Sequence, residues 1–183
     1  TGFRLSLGGA QQYFGVTPDL ATFAKAMAGG YPVSVVAGKE EIVSSGTATA
    51  GTFNGNPLVV AASLAVIDEL SKPGTYAKIN ELSEMMVKGW YELGRKYDLK
   101  LYSRALGAIW TIQFGIDEPI DDYRDSFKKI DSGLYQKVCK GALENGVRLN
   151  PWYGRGYMST AHTTDDISRT LKILDKVLGD ISK

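Results

Sequence analysis

The 183-residue chain carries 21 lysines and arginines against 20 aspartates and glutamates, a formal net charge of +1, and 44% of its residues are apolar. This balance supplies no general attraction to nucleic acid or an anionic membrane, and no run approaches the roughly 18 apolar residues of a membrane span. A single cysteine, Cys139, and a single histidine, His162, exclude an intrachain disulfide framework and make a metal site an unfavoured expectation; a reduced, cytoplasmic setting is the simplest reading.

In chain order, residues 1–17 read as loop and short helix punctuated by Gly8-Gly9. The stretch 18–32 then sets Lys25 among Leu20, Phe23, Ala24, Ala26 and Met27, ahead of Gly29-Gly30. A lysine held among apolar groups loses hydration of its charged form, so its neutral amine becomes available as a nucleophile, the chemistry of a Schiff-base lysine. Taken alone, the stretch is equally a short surface helix closed by two glycines, and that plainer reading would prevail without further signals. Residues 31–37 are β-branched and bounded by glycines, which predicts a buried strand. Residues 39–43 predict a helical turn and 44–50, small and polar, a mobile loop. The turn 51–57 ends in Asn56, a good N-cap, and Pro57, suited to the first helical position. Residues 58–70 are apolar nearly all round, which predicts a buried helix. A glycine-rich turn feeding a helix N-terminus is an anion site on physical grounds; an ordinary capped helix is the competing reading.

Ser71-Lys-Pro-Gly-Thr75 is the expected domain boundary, dividing the chain into 1–71 and 72–183. A helix over 76–97 follows, with Ile79, Leu82, Met86, Trp90 and Leu93 at core spacing. Residues 107–114 alternate and predict a strand with Ala108, Trp110, Ile112 and Phe114 inward; 115–126 is acidic and reads as a loop. A helix over 132–145, stopped by Gly146, precedes expected strands at 147–149 and 157–161. Asp165-Asp166 opens a last helix with Ile167, Leu171, Leu174, Leu178 and Ile181 in a stripe. His162 is expected to bond a backbone group; no nucleophile elbow supports a Ser-His-Asp arrangement with Ser159. Arg155 is a candidate for gripping a carboxylate, or a solvated loop arginine, with Trp152 and Tyr153 lining the same pocket or packing.

Read together, Gly8-Gly9-Ala10-Gln11, Pro18-Asp19-Leu20, Lys25, Gly29-Gly30-x-Pro32, Gly38, Gly51-Thr52-x-x-Gly55-Asn56-Pro57 and Ser159-Thr160-Ala161-His162-Thr163 resemble the class III, fold type I, pyridoxal-phosphate aminotransferases. The nearest group is the glutamate-1-semialdehyde 2,1-aminomutases. The resemblance covers nearly the whole chain and is specific as an ordered combination. It implies an α/β fold: the C-terminal portion of the large cofactor domain over 1–71, then a small α+β domain over 72–183. It implies that Lys25 holds pyridoxal 5'-phosphate as an internal aldimine and moves the proton between the substrate Cα and cofactor C4'. It implies that Gly51 and Thr52 contact the cofactor, Thr52 reaching the phosphate bound by the neighbouring subunit of a homodimer. Arg155 is the implied substrate-facing group, and the implied partners are a small-molecule amino donor and acceptor.

Three departures matter. The aminomutase pattern has a glutamate where this chain has Gly154, which favours transamination. The small Pro-x-Gly-Ala pattern is here Pro32-Val33-Ser34-Val35, and the insertion expected near 44–50 is short. The first residues resemble the middle of a family member, without the strand whose aspartate meets the pyridine nitrogen. The chain is therefore expected to be a C-terminal part that needs its N-terminal half. Transamination is the leading expectation; aminomutation, a racemase or epimerase on the same scaffold, and a non-catalytic fragment are the alternatives.

Overall fold

The computed structural model describes residues 2–45, 50–152 and 154–182; the expected mobile loop 44–50 thus lies largely outside the described residues. The chain divides into two compact units, Thr1–Tyr76 and Ala77–Lys183.

The first unit opens with a 3-10 turn, Gly2–Arg4, and helix α1, Gly9–Phe14. Strand β1, Leu20–Phe23, pairs antiparallel with β2, Val35–Gly38, in the register Leu20 to Gly38 through Phe23 to Val35. A 3-10 turn, Lys25–Ala28, follows directly on β1. Here the sequence reading needs correction. The strand expected over 31–37 begins only at Val35, and all four of its residues are exposed. Proline has no N–H for a ladder and holds the residue before it away from helical angles. The Tyr31 N–H instead turns back to the Ala28 carbonyl at 3.1 Å, so 29–31 are spent in a turn.

A short α2, Glu40–Val43, is followed by α3, Pro57–Leu70. The capping is as expected: Asn56 Oδ1 accepts from the Leu58 N–H at 3.0 Å, with proline at the first position. The expected burial is not found. Leu58 is 74% and Leu64 57% exposed, and Ser63 is the buried residue of this helix. Apolar residues on every side make a helix able to be buried, but the unit covers one side of it, where the Lys25–Ala28 turn packs.

Helix α4, Thr75–Lys96, begins at the end of the first unit, where the Tyr76 hydroxyl donates to the Phe3 carbonyl at 2.7 Å. Burial pushes the Tyr76 phenol up to about 12. The second unit holds a three-stranded antiparallel sheet of β3, Leu101–Leu106, β4, Ile109–Phe114, and β5, Arg155–Tyr157, in the order β3-β4-β5. The predicted inward face of β4 is buried: Trp110, Ile112 and Phe114, with Ala108 just before it. Strand β3 was not foreseen because a serine sits on its buried face. Ser103 belongs there because its hydroxyl donates to the Thr111 carbonyl at 2.6 Å and its N–H donates to the Tyr91 hydroxyl at 3.1 Å, which removes the usual cost of a buried polar group.

Between β4 and β5 lie α5, Tyr123–Lys129, and α6, Ser132–Glu144. The expected loop 115–126 thus gives way to a helix at Tyr123. Its signal was the cap, Asp122 accepting from the Asp125 N–H at 2.8 Å; no residue of α5 is buried, so no apolar stripe announced it. Residues 147–149 do not join the ladder, although Leu149 is buried. The strand expected at 157–161 is Arg155–Tyr157, after which a turn brings the His162 N–H to the Ser159 carbonyl at 3.2 Å.

The last helix, α7, Thr164–Ile181, starts with a reciprocal capping box between Thr163 and Asp166. The bonds from Thr163 hold the Asp166 carboxyl below its ordinary range. α4, α6, α7 and the sheet enclose Trp90, Phe114, Leu82, Ile112, Val138, Leu174 and Leu178, with Trp90 and Phe114 edge to face at 5.9 Å and 85°. Among the described residues no helix is long and apolar enough to cross a membrane.

Candidate active site

Lys25 opens a one-turn 3-10 segment at the end of β1. Ala24 before it is fully extended, at φ −159° and ψ −156°. Lys25 itself has φ 58°, one of two described non-glycine residues with positive φ, the other being Asp98. The left-handed region costs an L-residue about 1–2 kcal/mol because Cβ crowds the following carbonyl, and such residues gather at functional sites where the surroundings enforce them. Two backbone bonds brace the turn: Met27 N–H to Ala24 O at 3.3 Å and Tyr31 N–H to Ala28 O at 3.1 Å. Ala28 is 1% exposed. Gly29 follows at φ 59°, and a Cβ there would lie 3.4 Å from Val66 Cγ2 of α3. That spacing is an ordinary van der Waals one, so it is the positive φ that favours glycine at this position.

The apolar enclosure expected around Lys25 is not supplied by this unit: the residue is exposed. Its apolar sequence neighbours are drawn elsewhere, Phe23 towards Phe3 with ring centroids 5.8 Å apart and Ala28 into the packing beside it. Among the described residues Lys25 Nζ makes no ion pair or hydrogen bond. A primary amine free of partners, on a turn that is not free to move, suits condensation with an aldehyde. The donor set therefore fits pyridoxal phosphate at its reactive carbon.

Gly51 and Thr52 are exposed in the turn that leads to α3. Asn54 N–H donates to the Gly51 carbonyl at 3.0 Å and Asn56 N–H to that of Phe53 at 3.2 Å. A Cβ on Gly51 would press the Asn54 amide oxygen at 2.8 Å. The anion site inferred from the helix N-terminus is largely filled by the chain's own groups. Pro57 has no N–H, Leu58 N–H is taken by the Asn56 side chain, and Val60 N–H donates to the Asn56 carbonyl at 3.0 Å. What the turn offers an anion is the Thr52 hydroxyl and exposed backbone. The lysine turn and this turn share one unit but meet α3 at different places. Val66 lies nine residues past Pro57, about 14 Å along the axis at 1.5 Å per residue.

Arg155 belongs to the second unit. It is exposed and opens β5 opposite Thr111 of β4. Gly154 before it has φ 56°, and its carbonyl accepts the Ile112 N–H at 2.7 Å. A Cβ on Gly154 would collide with the Ile112 carbonyl oxygen. Trp152 is 78% exposed, its N–H donating to Asn150 Oδ1 at 3.1 Å, while Tyr153 lies outside the described residues. The Asn150 carbonyl accepts from the Tyr135 hydroxyl at 2.7 Å, and burial pushes that phenol well above its ordinary range.

His162 does bond a backbone group, as expected. Its Nδ1 accepts from the Ser159 N–H at 3.1 Å and lies 2.9 Å from Ser159 Oγ. Among the described residues no carboxylate hydrogen-bonds the ring, so this pair is a turn brace and not a triad. Sequence reasoning missed the left-handed backbone of Lys25, which leaves no mark in the sequence.

The sequence profile of Aminotransferase class-III matches residues 1–178. An omega-transaminase from Sphaerobacter thermophilus superposes with a TM-score of 0.87 at 26% identity, over 98% of this chain and 42% of that one. The FumI protein of Sphingopyxis sp. MTA144, described in its PLP internal aldimine form, gives 0.83 at 22% identity over 98% and 41%. A glutamate-1-semialdehyde aminomutase from Pseudomonas aeruginosa PAO1 gives 0.84 at 20% identity over 97% and 42%. The last two likenesses are of fold, and agree with the mixed α/β class expected from the sequence. The chain spans about 42% of the length of these proteins.

Proposed function

The chain belongs to the class-III aminotransferase family, and on that premise we propose that it is the C-terminal part of a pyridoxal-phosphate-dependent aminotransferase. The reaction moves an amino group between an amino acid or amine and a keto or aldehyde acceptor. The observation that carries the reading is Lys25: an amine without an ionic or hydrogen-bond partner among the described residues, on a strained turn at the end of a strand, at the position that the family resemblance makes the cofactor lysine.

Pyridoxal phosphate, when bound, supplies the electron sink for the bond broken at the substrate Cα. Lys25 Nζ would hold the cofactor and would serve as the amine that carries the proton between that carbon and cofactor C4'. Gly51 and the Thr52 hydroxyl contact the phosphate. The separation along α3 between the Thr52 turn and Val66, which lies beside Gly29, supports a homodimer in which Thr52 serves the cofactor of the second subunit. Arg155 binds a substrate carboxylate. The functional division falls at 71/72, the cofactor portion before it and the small domain after it. The exposure of Lys25 and of α3 favours a site that becomes active only with the N-terminal half of the enzyme present. A cytoplasmic setting fits Cys139, a buried free thiol.

Intramolecular amino transfer by an aminomutase is the second reading. Its pattern calls for a glutamate at position 154, where positive φ and the Ile112 carbonyl leave no room for a Cβ. That observation favours transfer between two molecules.

Borohydride reduction of the cofactor-loaded protein, followed by peptide mapping, tests the reading. A pyridoxyl group on the Lys25 peptide is expected. Its appearance on another lysine, or its absence from the complete holoenzyme, would end it.

A further inference from the structure

We propose that Arg104 binds a second carboxylate beside Arg155, so that the substrate this site selects is a short dicarboxylic amino or keto acid. The inference rests on the reading of Arg155 as the substrate-facing arginine. Its basis is the register of the second unit's sheet. Arg104 of β3 and Arg155 of β5 are both paired with Thr111 of β4. Directly paired residues stand on one face of a sheet, so the three side chains form a row of arginine, threonine and arginine. With strands about 4.8 Å apart, the two arginine Cα atoms are about 10 Å from each other.

The same register fixes what surrounds the row. Trp110, Ile112 and Phe114 alternate to the opposite face, where they are buried. Beside the row on the arginine face stand Leu106, Ile109 and Tyr157 on one side and Tyr102 and Gln113 on the other. Arg104, Arg155, Leu106 and Tyr157 are exposed, while Thr111, Ile109, Tyr102 and Gln113 are half-buried. None of these outward side chains is an aspartate or glutamate, and among the described residues the Arg104 guanidinium makes no ion pair or hydrogen bond. In a chain with nearly as many acids as bases, the ladder leaves the charge of this row to be answered by an anion. Arginine presents a planar fork that takes a carboxylate by two parallel hydrogen bonds. Two forks set two strands apart suit two carboxylates at the ends of one short molecule, with its carbon chain passing over Thr111. The apolar row of Leu106, Ile109 and Tyr157 thins the water beside that molecule and strengthens each charge pair. A monocarboxylate engages one fork only.

The test titrates glutarate and butyrate, which differ by one carboxylate and carry no amino or keto group, into the complete, cofactor-loaded enzyme by calorimetry at fixed ionic strength. Glutarate is expected to bind the wild-type enzyme at least about tenfold more tightly than butyrate. Arg104→Gln is expected to weaken glutarate about 10- to 100-fold and leave butyrate unchanged, Arg104→Lys to recover part of the loss, and Arg155→Gln to weaken both acids. Equal binding of the two acids by the wild-type enzyme, or an unchanged ratio in Arg104→Gln, would overturn the dicarboxylate site, while a loss of butyrate binding in Arg155→Gln would leave Arg155 standing. Binding of neither acid, or butyrate binding untouched by Arg155→Gln, would overturn both. Inorganic phosphate bound as tightly as glutarate and lost in Arg104→Gln would overturn the dicarboxylate as the class of ligand.

Discussion

The two units differ in what they can enclose. In the second, α4, α6 and α7 close over a three-stranded sheet and bury Trp90, Phe114, Leu174 and Leu178. In the first, a two-stranded ladder has β2 exposed along its whole length, and α3 turns Leu58, Val60 and Leu64 to solvent. A two-stranded sheet is marginal by itself, whereas three strands packed by helices are self-sufficient. The unit that completes its own core carries Arg155; the unit that leaves its apolar residues uncovered carries Lys25, Gly51 and Thr52. On the proposed reading, the chemistry belongs to the part of the chain least able to exclude water alone.

Substitutions at five positions can break or sharpen this contrast. Lys25→Ala, measured by turnover in the complete enzyme, is expected to abolish activity; normal turnover would remove the first unit's claim to the chemistry. Trp90→Ala should destabilise the second unit by about 3–5 kcal/mol in urea unfolding. Trp90→Phe should cost less, because it also removes an indole N–H that is buried without an acceptor among the described residues. A loss below 1 kcal/mol for Trp90→Ala would deny that this core is closed. Gly154→Ala sets a methyl against the Ile112 carbonyl at positive φ and should cost about 1–3 kcal/mol; a neutral result would reopen position 154 to a side chain and revive the aminomutase reading.

Asp166→Asn acts through pH. Hydrogen bonds from Thr163 depress the folded-state pKa of Asp166. Its contribution is therefore present above the unfolded value of about 3.9 and is lost as pH falls through the folded value. The Tm gap between wild type and Asp166→Asn should be widest at neutral pH and close at strongly acid pH; a gap independent of pH would mean that the carboxylate is not the capping group. The smallest effect is expected for Leu64→Gln. In the 183-residue chain a residue 57% exposed should change stability by no more than about 0.5 kcal/mol, while a loss above 1 kcal/mol would show α3 to be covered.

Legibility followed the same divide. In the second unit, three- and four-residue spacing in α4, α6 and α7 and alternation in β4 were readable because this unit answers each apolar face with another. Strand β3 escaped because the buried Ser103 breaks the alternation and is satisfied by Thr111 and Tyr91, partners eight and twelve residues away. In the first unit, the cap of α3 was readable from Asn56-Pro57, a local signal, but its burial was not. Hydrophobicity records what a helix can lose to a partner, and says nothing of whether the partner is in the same unit.

The candidate site divides likewise. Residue order alone determined the family resemblance, the lysine, the Gly51-Thr52 turn, Arg155 and the departure at Gly154, because these are matters of which chemistry stands where along the chain. Tertiary structure alone decided that Lys25 is left exposed by its own unit and that Gly154, set against the Ile112 carbonyl, cannot carry a side chain. Each of these depends on the approach of segments distant in sequence, and hydration, strain and steric room are properties of that approach.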